Sequence, residues 1–193
     1  MNNSLLQVID LVKHFPVRSG LFGRKAFVHA VDGVSFHVEP KTTFGIVGES
    51  GCGKTTVSRL ILLLETPTGG EILYRGKDVR KLSSSGLREY RRSAQAVFQD
   101  PYSSLDPRMR VEHIVGEPLI SLMKEASRRE KRRMVDEAME FVGLPIGSKR
   151  FYPHEFSGGQ RQRIAVARAI VTMGRMAAMM VTSSRPSMNP LSA

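Results

Sequence analysis

With 193 residues, 41% of them hydrophobic and 24% charged, the chain has the composition of a soluble globular protein and the length of one domain, with room for a core and a smaller subdomain. No apolar run approaches the ~20 residues of a membrane helix, Met1-Asn2-Asn3-Ser4 lacks the features of a signal peptide, and a single cysteine, Cys52, excludes an intrachain disulfide, so a cytosolic, reducing location is expected. The excess of 29 basic over 18 acidic residues is compatible with nucleic acid, an anionic membrane or a nucleotide, but part of it has the helical spacing of a solvated face around Arg128, Arg129, Lys131, Arg132 and Arg133, and the rest reflects a lack of acids after Glu155.

In chain order, Leu5 to Leu11 and Val34 to Val38 are predicted strands, the second with clean alternation, separated by a loop at Pro16 to Lys25. Phe44-Gly45-Ile46-Val47 is a short apolar run bounded by turn residues and is predicted to be a buried strand. The positions Val57, Leu60, Ile61 and Leu64 then follow the i, i+3, i+4, i+7 spacing of one helix face. Glu71 to Tyr74 is a predicted strand, Ser83 to Ser93 begins a helix, and Ala94 to Phe98 returns to strand character. Val111 to Leu122 is helical or mixed. Glu125 to Val142 and Gln160 to Val171 are predicted helices. Residues 171–193 hold a methionine-rich stretch without a convincing period and are expected to form an aberrant, disordered tail.

The turn between the apolar run and the first helix is Gly48-Glu49-Ser50-Gly51-Cys52-Gly53-Lys54-Thr55, followed by Thr56. This is the P-loop pattern of glycines, lysine and threonine between a strand and a helix. Glycines let the backbone turn its N–H groups inward, toward a phosphate at the positive end of the helix. Lys54 would bring a full charge to the β- and γ-phosphates, and the Thr55 hydroxyl would ligate Mg²⁺. Cys52 reads as a small packed loop residue rather than a nucleophile. The five histidines show no metal-ligand spacing along the chain.

Phe156-Ser157-Gly158-Gly159-Gln160-Arg161-Gln162-Arg163 opens a second helix with small residues, a second anion site at a helix N-terminus or, more plainly, a serine-capped helix. The full run into Ile164-Ala165-Val166-Ala167-Arg168-Ala169 closely resembles the signature of the ABC (ATP-binding cassette) ATPases, with Phe156 in the place usually held by leucine. Val97-Phe98-Gln99-Asp100-Pro101 resembles the Q-loop of that family. Its extension Tyr102 to Met109 and the segment His29 to Phe36 resemble the branch that serves oligopeptide and dipeptide importers.

The resemblance runs from about Leu5 to Ile170 and implies an α/β fold: a P-loop core of the ABC ATPase type, with an N-terminal antiparallel β subdomain and a helical subdomain over about 102–156. It implies ATP and Mg²⁺ as ligands, with Gly48 to Thr56 around the triphosphate, Gln99 sensing the γ-phosphate and Mg²⁺, and Phe15 stacking on adenine, Phe27 being the fallback. Ser157, Gly158, Gly159 and Gln160 would act in trans on the nucleotide of a second ABC ATPase subunit. Transmembrane permease subunits, and indirectly an extracytoplasmic solute-binding protein, complete the expected partners, with no nucleic acid. The location implied is peripheral, on the cytoplasmic face of the inner membrane.

Three departures stand out. The family places an apolar strand ending in Asp-Glu shortly after the signature helix, and a later His, yet no Asp or Glu follows Glu155 and no His follows His154. The second half of the core is therefore expected to be missing, as if by frameshift or premature stop, leaving an exposed sheet edge and a chain that is poorly soluble or dependent on a partner. Lys41-Thr42 stands where the family usually has Gly-Glu. The expected function is thus ATP-driven import of peptides or similar small solutes. The alternatives are a non-catalytic nucleotide-binding remnant and a soluble ABC protein acting on DNA or ribosomes.

Overall fold

The computed structural model describes residues 4–18, 25–97, 100, 104–173 and 179–182. Two long strands, β1 (Leu6–Arg18) and β2 (Lys25–Val38), pair antiparallel, and β3 (Gly69–Tyr74) and β4 (Lys77–Asp78) extend the sheet in the order β2-β1-β3-β4. The predicted strands at Leu5 to Leu11 and Val34 to Val38 are thus segments of longer ones. The predicted loop shrinks too, because Pro16 to Arg18 continue β1 and Lys25 already opens β2. Pro16 fits there because β3 accompanies β1 only as far as Val12, so a missing N–H opposite β2 breaks no ladder.

One face of this sheet carries α1 (Lys54–Ile61) and α2 (Ser84–Ser93). Alternating β1 residues Leu6 and Val8, together with Leu11, meet Val57, Leu60 and Ile61 of α1, and Ile72, Tyr74 and Tyr90 close the same core. Three adjacent positions of the α1 helical stripe are buried, which is why the spacing was readable. Tyr90 is fully buried and donates a 2.5 Å hydrogen bond to the carbonyl of Ile61, tying α2 to the C-terminal end of α1. Burial, with Tyr74 beside it, pushes the Tyr90 phenol above its ordinary range, so it is a donor at any working pH.

A second core is helical. α3 (Val111–Leu122), α4 (Arg128–Phe141) and α5 (Gly158–Ile170) enclose Val111, Ile114, Val115, Leu119, Met139 and Ile164. The predicted helix over Glu125 to Val142 begins three residues later. Ser127 accepts from the Glu130 N–H and Glu130 accepts from the Ser127 N–H, so this reciprocal cap sets the start. The basic residues of α4 are largely exposed, as a solvated face.

Two expectations are corrected. Phe44 to Val47 forms no strand, and Phe44, Ile46 and Val47 are exposed by 45%, 42% and 95%. A strand is held by its ladder, and among the described residues nothing pairs with this run. Within residues 171–193, expected as a disordered tail, β6 (Met179–Thr182) pairs parallel with β5 (Ala94–Val97), giving a separate two-stranded sheet. Residues 171–173 are also ordered: Val171 and Thr172 are buried, and the Thr172 hydroxyl donates to the Arg92 carbonyl at 3.2 Å. No helix among the described residues is long and apolar enough to cross a membrane.

Candidate functional site

The predicted phosphate loop lies at the open start of α1. Gly51 and Gly53 have φ of 87° and 94°, in the region that favours glycine. A Cβ on Gly53 would overlap the Ala30 carbonyl oxygen of β2, and one on Gly48 would come within 2.6 Å of the Cys52 sulfur. The Gly53 overlap is with backbone and cannot be relieved cheaply, so that position needs glycine for close approach, whereas the exposed Cys52 side chain could turn away from a Cβ on Gly48. The sequence reading missed Ala30, although it forms the back wall of the loop; only the fold brings β2 behind it.

Gly53 is the N-cap of α1 and supplies no side-chain acceptor, and the first turn holds no acidic residue. The N–H groups of that turn have no intrahelical partners, so they face outward at the positive end of the helix. By contrast Ser83 caps α2, Ser127 caps α4 and Ser157 caps α5 with their own oxygens. Lys54 folds back over the loop: its Nζ donates to the Gly48 carbonyl at 2.6 Å and the Glu49 carbonyl at 2.5 Å, and lies 3.4 Å from the Cys52 sulfur. Gly48 to Cys52 and Thr55 are exposed, while Gly53, Lys54 and Thr56 are half-buried. Cys52 is thus an exposed thiol, not the packed residue expected. An exposed, glycine-lined cradle with outward N–H groups and a lysine above it fits a phosphate chain, and Thr55 at its rim fits a hard cation bound to those phosphates.

The Ser-Gly-Gly segment starts α5 on the other core. The Ser157 hydroxyl accepts from the Gln160 N–H at 3.3 Å, and the Gln160 side-chain oxygen accepts from the Ser157 N–H at 2.9 Å. The serine-capped reading therefore holds for the two side chains. Ser157, Gly158, Gly159 and Gln160 are all exposed, so the segment faces solvent. Phe156, in the leucine place, is 6% exposed and belongs to the helical core. Arg168 anchors the far end of α5, donating to the Ser104 carbonyl at 2.7 Å and pairing with Glu117 at 2.9 Å.

Phe15 is half-buried on β1 with the Lys13 ammonium 4.7 Å from its ring centre, whereas Phe27, the partner of Pro16 on β2, is 54% exposed. One face of the Phe15 ring is therefore covered by its own neighbour. Gln99 lies outside the described residues.

The profile of the ABC transporter family matches residues 31–179, well over half of the chain. The chain belongs to the ABC transporter family. It is 46% identical over 171 residues to the dipeptide transport ATP-binding protein DppF of Escherichia coli, covering 89% of this chain and 51% of that protein. It is 48% identical over 169 residues to the oligopeptide transport ATP-binding protein AppF of Bacillus subtilis, covering 86% of this chain and 51% of that protein. The chain thus spans about half the length of these curated relatives. Among solved structures, the dimeric ATP-binding cassette MJ0796 bound to ADP and Pi superposes with a TM-score of 0.69 at 27% identity, over 87% of this chain and 70% of that one.

Proposed function

We propose that this chain acts as an ATP-binding subunit of an ABC importer for peptides or similar small solutes. The observation that carries this reading is the uncapped, glycine-lined start of α1 with Lys54 poised over it. In this reading the residues from Gly48 to Thr56 wrap the triphosphate, Lys54 exchanges its loop carbonyls for phosphate oxygens, and Thr55, with Gln99, holds Mg²⁺. That ion would neutralise charge on the phosphate chain when bound. Phe15 offers its ring to adenine, and the exposed Ser157-Gly158-Gly159 segment caps the nucleotide of a second ABC ATPase subunit. The solute class follows the printed names of the two relatives, both peptide-transport ATP-binding proteins. Permease subunits in the inner membrane, and a solute-binding protein beyond them, are the partners that such a role requires, with this chain peripheral on the cytoplasmic face.

A second reading is binding without turnover, favoured by one observation: residues 156–193 contain no Asp or Glu, so this stretch offers no carboxylate to polarise a water at the γ-phosphate. Measuring Mg·ATP binding and ATPase activity side by side, with Lys54→Ala as control, separates the two. Turnover abolished by the substitution supports the catalytic subunit. Tight binding with no turnover supports the second reading, and no binding at all would sink both.

A further inference from the structure

The β1–β2 register carries a second constellation that chain spacing hides. His14 and His29 are direct cross-strand partners, and their rings stack with centres 3.8 Å apart. Between this pair and the pair Lys13–Val31, β2 accommodates one extra residue, Ala30. Strict alternation would send side chains three residues apart to opposite faces of the sheet. The bulge reverses that parity and swings Asp32 onto the side of His29. The Asp32 carboxylate stands 3.5 Å from His14 Nε2 and 3.8 Å from His29 Nδ1, and one ligand atom from each of the three residues lies within 4.8 Å of the others.

These separations are long for hydrogen bonds, and His14 Nε2 is a buried polar atom without a hydrogen-bond partner. They are close to the edge of a small coordination polyhedron. Metal–ligand bonds of about 2.0–2.2 Å in tetrahedral array put neighbouring ligand atoms roughly 3.3–3.6 Å apart. A metal ion between the three groups would give the orphaned nitrogen a partner and offset the cost of burying it. We propose that His14, His29 and Asp32 form a binding site for a late first-row divalent cation such as Zn²⁺. Two imidazoles with one carboxylate suit that class and not Mg²⁺ or Ca²⁺, which prefer an all-oxygen shell. Three protein ligands leave at least one position open to water or another group. The site bridges the two long strands immediately before Phe15, and the bulge residue Ala30 is the one that backs Gly53. A bound ion therefore pins the hairpin that forms the rear wall of the phosphate loop.

The competing account is an exposed His–Asp ion pair of small energetic weight. The test uses the full chain, free of nucleotide, titrated with Zn²⁺ against a chromogenic chelator and melted with and without the ion. One equivalent binds, the melting midpoint rises by about 5 °C at saturating Zn²⁺, and His29→Ala and Asp32→Asn each weaken binding at least tenfold. Both positions are exposed, so these variants keep their metal-free melting curves; His14→Gln, at a half-buried site, is accepted only with an unchanged metal-free melt. His37→Ala, His154→Ala and Cys52→Ser leave the stoichiometry and affinity unchanged. Retention of the equivalent in the His29→Ala/Asp32→Asn double variant, its loss in Cys52→Ser, or no binding at micromolar Zn²⁺ would overturn the assignment.

Discussion

The Lys54 ammonium sits 2.6 Å from the carbonyl oxygen of Gly48, six residues earlier, and so occupies the loop that its own helix opens. A lysine held by carbonyls is a stored cation: it can leave for a phosphate oxygen by side-chain rotation, with no change in the backbone. Charge-assisted hydrogen bonds contribute about 1.5–3 kcal/mol each, which corresponds to roughly a 10- to 150-fold change in affinity. Lys54→Ala is accordingly expected to weaken Mg·ATP binding by that factor, read by titration with a fluorescent nucleotide. Its melting curve should move little, because the side chain is half-buried and its partners keep solvent access. An affinity within threefold of the parent would show that the backbone N–H groups alone hold the phosphates.

Ser157 gives a second handle, because its hydroxyl already has a local partner in the Gln160 N–H. Ser157→Ala removes the cap and is expected to cost about 1 kcal/mol, whereas Ser157→Gly costs only a few tenths. Nucleotide-dependent association of two subunits is expected to respond differently. A hydroxyl that also meets the nucleotide of a partner subunit is lost in both variants, so ATP-dependent dimer formation, followed by analytical ultracentrifugation, should fall alike in both. If association instead tracks stability, with the glycine variant near normal, Ser157 is only a cap.

Lys41 occupies a conformation that suits glycine, with φ of 63° in the turn after β2. A non-glycine residue there costs about 1–2 kcal/mol in the folded chain, partly offset because glycine loses more freedom on folding. Lys41→Gly is therefore expected to raise stability by about 0.5–1 kcal/mol, with nucleotide affinity unchanged. Urea denaturation resolves a shift of this size. A destabilised glycine variant would mean that the lysine side chain contributes more than the strain removes.

The parts of the site that could be read from residue order are those built by contiguous residues. Gly48 to Thr55 is one turn, and Ser157 to Gln160 is one helix start whose reciprocal cap is written in four residues. What could not be read depends on neighbours. Whether Phe44 to Val47 becomes a strand is decided by what lies beside it, and among the described residues no strand does. Met179 to Thr182 lacks any period, yet a parallel partner at Ala94 to Val97 makes it a strand. The approach of Ala30 to Gly53, and of Asp32 to His14, turns on a one-residue bulge that leaves no mark on the hydrophobic pattern. Local chemistry was legible and register was not.

Asp78 offers a test through pH. Its side chain is 7% exposed at the end of β4, and one carboxylate oxygen accepts from the Arg80 N–H at 3.0 Å while the other accepts from the Arg80 guanidinium at 3.2 Å. Burial opposes ionisation, but the Arg80 hydrogen bonds, with the charges of Arg80 and Lys81, outweigh it and hold the carboxyl below the usual aspartate range. The folded state therefore binds this proton less readily than the unfolded chain does. The resulting stabilisation is fully present above the unfolded value of about 3.9 and is lost as pH falls through the lower folded value. Asp78→Asn keeps one acceptor but drops the charge, and is expected to cost about 1–2 kcal/mol at pH 7. Paired urea titrations of parent and variant should show that gap constant between pH 6 and 8 and shrinking below about pH 4. A gap that persists undiminished at pH 2.5 would mean that the loss comes from shape and hydrogen-bond geometry, not from the carboxylate charge.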